Sequence, residues 1–340
     1  RNLLFTVDPA SKSASSLGGN ISENSGGPFA FEYGCTIDNI LSYRMVTPRG
    51  EVVEVRRRDH PWRKILPEDT AVFDILAEDG ALLDTVSLSG LDVRAKDLGK
   101  DVTNKYLGGL PGVQKEGVDG VITDACFVLH PKPALSRTLC LEFYGRSMHN
   151  AMQVITDIVR LRDAIRREGD LVKISALEEF GPKYVQAIEY KKKSSTYEGD
   201  PISVLLVQLD SDDAEALTRA VDAVVDIAGP YDQVDVFAAR DDVEAEVFWE
   251  DRHKLSAISK RTSGFKINED VVIPTAMIPA FSDFLEDLNL KYMAKAYRAG
   301  LQDVGRLPGF AEEDRFLNME FTHASKIIKG LVSAKDTNDQ

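Results

Sequence analysis

One stretch near the start limits the fold more than any other: Leu17-Gly18-Gly19-Asn20-Ile21-Ser22-Glu23-Asn24-Ser25-Gly26-Gly27, introduced by Val7-Asp8-Pro9-Ala10-Ser11. Two glycine pairs flank two asparagines. Glycine admits positive φ and close approach of backbone to a neighbour. Asparagine tolerates the left-handed region and brings an amide that donates and accepts. Such a composition suits neither a helix nor a strand, so the stretch is expected to be a loop whose peptide N–H groups face a large polar or phosphorylated ligand.

The chain has 340 residues, long enough for two domains, with 43% hydrophobic and 28% charged residues. Fifty-five acidic against 41 basic residues leave a formal charge of −14. That balance argues against nucleic acid as a general partner, because phosphate backbones require a basic footprint. The two basic triplets, 56–58 and 191–193, are not extended by further basic residues and read as solvated ends. Three cysteines, Cys35, Cys126 and Cys140, form no CxxC pair. Their odd number excludes a complete disulfide framework and favours a reducing compartment, the cytoplasm. Cys126 and Cys140 lie in apolar runs and are expected to be buried. No run approaches the roughly 18 apolar residues of a membrane span. The five histidines, His60, His130, His149, His253 and His323, show no metal-ligand spacing.

Up to about residue 132 the chain is glycine-rich with short alternating segments. Ser42–Val46 and Glu51–Val55 alternate across a Pro48-Arg49-Gly50 turn and predict a hairpin. Thr70–Glu78 is expected to be a short helix, Ser87–Leu91 a loop or 3₁₀ turn, Asp97–Leu107 helical at its end, and Gly120–Leu129 a strand. Pro131 and Pro133 mark a boundary, giving domains 1–132 and 133–340. In the second, the pattern predicts strands at Ser136–Tyr144, Leu171–Ala176, Pro201–Gln208 and Gln233–Ala238. It predicts helices at Ser147–Arg166, Glu178–Tyr190, Asp212–Ala228, Val243–Ser259 and Thr275–Leu288, and an extended segment at Gly264–Ile273. Met152, Ile155, Ile158, Val159 and Ile165 recur at helical spacing. The expected fold class is α+β, with an open sheet covered by helices on one face.

Several patches, in order along the chain, resemble the FAD-linked oxidases of the vanillyl-alcohol-oxidase type, in the branch of D-lactate dehydrogenase and the glycolate oxidase flavoprotein subunit. They are the Gly/Asn stretch; Tyr33-Gly34-Cys35-Thr36-Ile37-Asp38; the hairpin; Lys115-Glu116-Gly117-Val118-Asp119-Gly120-Val121-Ile122-Thr123; Phe248-Trp249-Glu250-Asp251-Arg252; and Lys266-Ile267-Asn268-Glu269-Asp270-Val271-Val272-Ile273-Pro274. The resemblance implies a second FAD-binding subdomain followed by a cap domain with an antiparallel sheet. It implies FAD lined by Pro9, Ser11, Gly18, Gly19, Asn20, Asn24, Gly26 and Gly27, followed by Tyr33, Gly34 and Asp38. Gly117, Gly120, Val121, Ile122 and Thr123 would present backbone groups to the cofactor.

The resemblance further assigns a carboxylate-binding role to Arg252, with Ser256 one turn later and Lys266 beyond. Charge pattern alone offers a bland alternative, in which Asp251, Glu250 or Glu246 pairs with Arg252 on a helix surface. The implied reaction is oxidation of a small 2-hydroxy acid, of the D-lactate or glycolate type, by hydride transfer to flavin. Electrons would leave to oxygen, a quinone or an iron–sulfur partner. The family's first FAD subdomain is not found ahead of Asp8, nor its Gly-His-x-Gly-Asp-Gly-Asn-x-His segment after about 300. The chain therefore reads as the middle of a longer flavoenzyme, with the catalytic base elsewhere and little FAD binding of its own. The rival expectation is a non-catalytic binding or assembly module that keeps the flavoenzyme fold.

Overall fold

The structure is a computed structural model that describes residues 2–95, 98, 104–254, 272–306 and 315–334. In chain order the elements are β1 (Leu3–Leu4), α1 (Leu17–Glu23), α2 (Ala30–Tyr33), α3 (Thr36–Asn39), β2 (Ile40–Val46), β3 (Val52–Arg57), β4 (Thr70–Ala77), β5 (Leu82–Ser89), α4 (Gly90–Val93), β6 (Val121–Phe127) and β7 (His130–Pro131). They continue as β8 (Leu135–Phe143), α5 (His149–Glu168), β9 (Val172–Phe180), α6 (Pro182–Ala187), β10 (Ser203–Ser211), α7 (Ala214–Ala228), β11 (Val234–Ala238), α8 (Asp242–Glu250), α9 (Ile278–Val304) and α10 (Arg315–Ile328). Antiparallel sheets with helices packed on them make this an α+β fold.

The first large sheet runs β5-β4-β3-β2-β6, antiparallel throughout. The expected hairpin is β2–β3, closed by the Gly50 amide donating to the Thr47 carbonyl at 2.9 Å. One face carries Tyr43, Met45, Val53, Val55, Phe73 and Leu88 into a core with Ile21, Ile37, Leu107 and Leu110. The other face carries charges: Arg58 clamps Asp74 with two 2.8 Å bonds, and Arg56 reaches Glu54.

That alternation corrects the expectation of a helix at Thr70–Glu78. Ala71 and Phe73 are buried while Asp74 faces the Arg58 side, a period of two that makes β4 a strand between β3 and β5. Ser87–Ser89 likewise end a strand before α4 begins. Cys126 is exposed rather than buried, because β6 is an edge strand and that side chain points away from the core face.

The Gly/Asn stretch is also corrected in part: Leu17–Glu23 is helical. Ser16 caps it by accepting from the Gly19 amide at 3.0 Å, and Asn24 ends it in the left-handed region. Tertiary packing overrides propensity here, since Ile21 and Asn20 are buried and Gly18 sits against Ile122 of β6.

The second large sheet runs β11-β8-β10-β9. Leu139, Leu141, Leu205, Val207 and Leu209 face α5 and α7. The opposite face is covered as well: Cys140, Val204 and Leu206 pack with Val185, Tyr190 and Phe248 from the α6 and α8 side. The sheet therefore has helices on both faces, not one, which explains the near-continuous burial of β8 and β10. The stripe on α5 is real, with Met152, Ile158 and Ile165 in the core.

Glu178–Phe180 belong to β9, and only Pro182–Ala187 are helical. Fully buried Glu142 draws the following segment over the sheet. It accepts from the Tyr144 and Tyr190 hydroxyls at 2.7 and 2.8 Å and from the Lys193 and Ser194 amides at 2.7 and 2.9 Å. The helix expected over Val243–Ser259 is α8 followed by a 3₁₀ turn, Asp251–Lys254. Residues 255–271, and most of Asp97–Leu107, lie outside the described residues.

Candidate functional site

Asp213, Asp241 and Ser16 cap helices, but Asp8 has no such role. It stands in the irregular segment before the Pro9–Ala14 turns, where the Lys12 amide donates to Pro9. It meets Arg252 across the molecule. Arg252 is 5% exposed, and its Nη1 donates to the Asp8 carbonyl at 3.0 Å. The Asp8 carboxylate is 3.6 Å from Nη1, and Glu178 of β9 is 3.6 Å from Nε. Both distances are ion pairs without hydrogen bonds, the first to Asp8 Oδ2, and among the described residues Arg252 Nε and the other carboxylate oxygen, Asp8 Oδ1, are buried with no hydrogen-bond partner.

Glu250, Asp251 and Glu246 do not engage the Arg252 side chain. Asp251 takes Lys254 instead, at 2.6 Å. The bland surface pairing is therefore replaced by a buried guanidinium held by two acids from distant segments.

Asp8 and Arg252 line a cavity of about 120 Å³ with Lys12, Phe29, Gln208 and Trp249, the room of roughly four waters. Lys12, Phe29, Gln208 and Trp249 also border a neighbouring cleft of about 650 Å³ between α8 and the start of β8. Burial pushes the Asp8 carboxyl up to about 6, against the opposing pull of Arg252. A carboxylate that titrates near neutrality beside a fixed guanidinium is suited to exchange a proton with a bound anion.

Gly27 makes this placement sterically feasible. A Cβ there would stand 2.2 Å from Asp8 Oδ1 and 2.3 Å from its carbonyl oxygen.

The sixteen residues expected along FAD fall into two groups. Tyr33, Gly34 and Asp38 form part of a buried cluster. Asp38 is fully buried and accepts from the Cys35 and Ile65 amides, at 2.7 and 2.8 Å. Arg94 grips both its oxygens at 2.9 and 2.5 Å. Gly34 has φ +81°, and a Cβ would stand 2.2 Å from Asp38 Oδ2. Asn24 Oδ1 accepts from the Ile37 amide at 2.8 Å, while Gly26 packs on Cys35 and Ala30, and Gly27 on Asp8. Asn20 is buried within α1, and Gly120 lies against Met45 and Val46.

The second group is open. Ser11, Gly117, Val121 and Thr123 are exposed, and Pro9, Gly18, Gly19 and Ile122 are half-buried. Gly18 would place a Cβ 3.5 Å from the Ile122 carbonyl oxygen, so α1 and β6 lie side by side. Among the described residues β6 has no strand on its outer side, which leaves peptide groups along that edge unpaired by a strand. Exposed Leu17, Val118 and Val121 add apolar surface to it. Peptide donors, side-chain-free glycines and an apolar strip fit a flavin, whose ring is flat and apolar on its faces and polar at its rim.

Ser256 and Lys266 lie outside the described residues. His130 is buried against Tyr33 and bonds Asn39 at 2.9 Å, with burial lowering it to about 4. His60 reaches the Asp38 carbonyl at 2.6 Å, His149 pairs with Asp283 on the surface, and His323 is exposed. Among the described residues no His, Cys, Asp and Glu side chains group as a metal site. No described helix is long and apolar enough to cross a membrane.

The family description for the FAD binding domain matches residues 1–56, and that for FAD linked oxidases, C-terminal domain, matches residues 148–307. Together the two matches support an FAD-linked oxidase family of the vanillyl-alcohol-oxidase type and indicate FAD as the cofactor.

It is 26% identical to glycolate oxidase subunit GlcD of Bacillus subtilis (strain 168), over 86% of this chain and 51% of that protein. It is equally 26% identical to glycolate oxidase subunit GlcD of Escherichia coli (strain K12), over 88% of this chain and 50% of that one. The chain thus spans about half the length of the curated relatives it matches. Among solved structures, alkyldihydroxyacetonephosphate synthase aligns over 76% of this chain and 40% of its own, with 16% identity and a TM-score of 0.45. The Arg252 cavity draws Asp8, Lys12 and Phe29 from the first matched segment and Gln208, Trp249 and Arg252 from the second. The sequence assigns no role to Asp8, Lys12, Gln208 or Trp249: Asp8 and Trp249 stand inside quoted patches without one, and no local motif marks Lys12 or Gln208.

Proposed function

We propose that this protein is an FAD-dependent oxidoreductase acting on a small 2-hydroxy acid of the glycolate or D-lactate type, and that Arg252 binds the substrate carboxylate. One observation carries the reading: a buried guanidinium with an unsatisfied Nε faces a cavity of about 120 Å³ built jointly by the two matched segments. That volume suits two or three carbons with a carboxylate and a hydroxyl. Bound FAD would supply the hydride acceptor for such a substrate.

Within the cavity, Arg252 fixes the carboxylate through charge-assisted bonds, and Phe29 and Trp249 exclude water. Asp8, ionised above about pH 6, accepts the hydroxyl proton on Oδ1. This gives the chain a base of its own, in contrast to the expectation that the base lies elsewhere. Gly18, Gly19, Gly117, Val121, Ile122 and Thr123 would hold the cofactor along the β6 edge, while Asp38 and Gly34 shape the segment from within. Ser256 and Lys266 are retained as further carboxylate contacts on the resemblance alone. The division at residue 132, a cytoplasmic location and an electron acceptor outside the chain belong to the same reading, supported by the family match and the free cysteines.

The test is a visible spectrum of the purified chain titrated with FAD, then mixed anaerobically with glycolate or D-lactate. Bound flavin that bleaches supports the reading, and Arg252→Lys should lower kcat/KM for bleaching by about 10²-fold, since a point charge replaces a bidentate fork. Bound flavin that no 2-hydroxy acid reduces would favour the non-catalytic module.

A further inference from the structure

A second cavity, of about 440 Å³, lies between α5, the segment that follows β3, and residues 274–276. It shares no lining residue with the Arg252 cavity or with the β6 edge. In a chain of net charge −14 its wall is basic: Lys64, Arg94, Arg160, Arg162 and Arg166 all contribute.

Most of these charges are balanced within the protein. Arg94 pairs with Asp38, Arg160 with Asp157, Arg162 with Asp163, and Arg166 with Glu32. Lys64 is different. It is 5% exposed, yet among the described residues no carboxylate lies within ion-pair distance, and its ammonium donates to the Phe31 carbonyl at 2.7 Å. The same oxygen accepts from Arg162 Nη1 at 3.0 Å, and the Arg162 guanidinium stacks 4.1 Å from the Phe31 ring. Two buried cations therefore converge on one neutral acceptor, leaving one positive charge in excess beside a cavity. A charge buried without a counter-ion is costly unless a ligand supplies one.

We propose that this cavity binds an oxyanion of the phosphate class, free or carried by a small molecule, with Lys64, Arg162 and Arg160 as its cationic contacts. Two of the three are already held in place by the Phe31 carbonyl. Arg160 is largely exposed and, among the described residues, held only by Asp157, so it can swing onto an incoming anion. A tetrahedral dianion suits donors converging from a point-charge ammonium and planar guanidinium forks better than a carboxylate does. Phosphate fills only part of the cavity, which leaves room for an attached group. Burial first, and then Arg162, Arg166 and Arg94, push the Lys64 ammonium well below the ordinary lysine range. An anion beside it would reverse that pull.

The experiment is thermal unfolding and calorimetric titration of the whole chain with inorganic phosphate and pyrophosphate, against chloride at equal ionic strength. Saturable stabilisation is expected in the unaltered protein. It should be lost in Lys64→Met, which fills the same space without charge, and weakened about tenfold in Arg160→Ala, an exposed change that leaves the core intact. Repeating the titration with FAD present separates the sources. Competition would identify the anion as the phosphates of the flavin nucleotide, and independent binding would make it a separate phosphate ligand. Stabilisation no greater than that of chloride, or undiminished in both variants, would overturn the proposal.

Discussion

Replacing Asp8 by Asn should change how stability depends on pH, in a way that isolates one buried carboxyl. Asp8 sits beside Arg252, yet burial outweighs that attraction and raises its carboxyl from the ordinary 3.8 to about 6. The folded state then holds the proton more tightly than the unfolded chain. The stability this confers is fully present below about pH 4 and is lost as pH rises through about 6.

At about 1.4 kcal/mol per pH unit, a gap of roughly two units corresponds to about 3 kcal/mol, of which about 2 kcal/mol falls between pH 4.5 and 7.5. Asn keeps the shape and cannot titrate. Urea unfolding of both proteins across that range should show Asp8→Asn gaining about 2 kcal/mol on the parent as pH rises, while titrating groups not coupled to Asp8, Glu179 at about 7 included, cancel in the difference. Two stability curves that stay parallel would mean that Asp8 is solvated or fully paired with Arg252. The same result would remove its assignment as the base.

Two further outcomes follow from the buried contacts. Arg94→Met should destabilise the protein by about 3–5 kcal/mol, because Asp38 would stay buried with its two amide donors but without its counter-ion; denaturant unfolding measures this, and a loss under about 1 kcal/mol would contradict it. Gly27→Ala should drive Asp8 out of place by steric overlap, costing about 1–3 kcal/mol in denaturant unfolding and flattening the Asp8-dependent pH profile, whereas an unchanged profile would show that the loop yields elsewhere.

Local pattern was sufficient for much of the second sheet. The β8, β10 and β11 strands, the α5 stripe and the α7 helix beginning at Asp213 are legible because period and cap are written in consecutive residues. Thr70–Glu78 reads as a helix in isolation because both edges of β4 are set by partners, β3 and β5, that no local window contains. Glu178–Phe180 were absorbed by β9 for the same reason. The Gly/Asn stretch had the opposite problem: its composition signals a loop, and burial of Ile21 against the first sheet makes it a helix.

The order of the motifs along the chain was enough to determine the family, the cofactor and the α+β class, since these depend on which residues occur and in what sequence. Tertiary structure alone decided which of those residues meet. Arg252 and Asp8 are 244 positions apart, and their contact exists because Gly27 leaves space for Asp8 while the turn after α8 delivers Arg252 to the edge of β9. Burial, distance and the competition between desolvation and charge arise only once the chain has closed on itself, so the working state of Asp8 and the lowered titration of the Lys64 ammonium are properties of the fold.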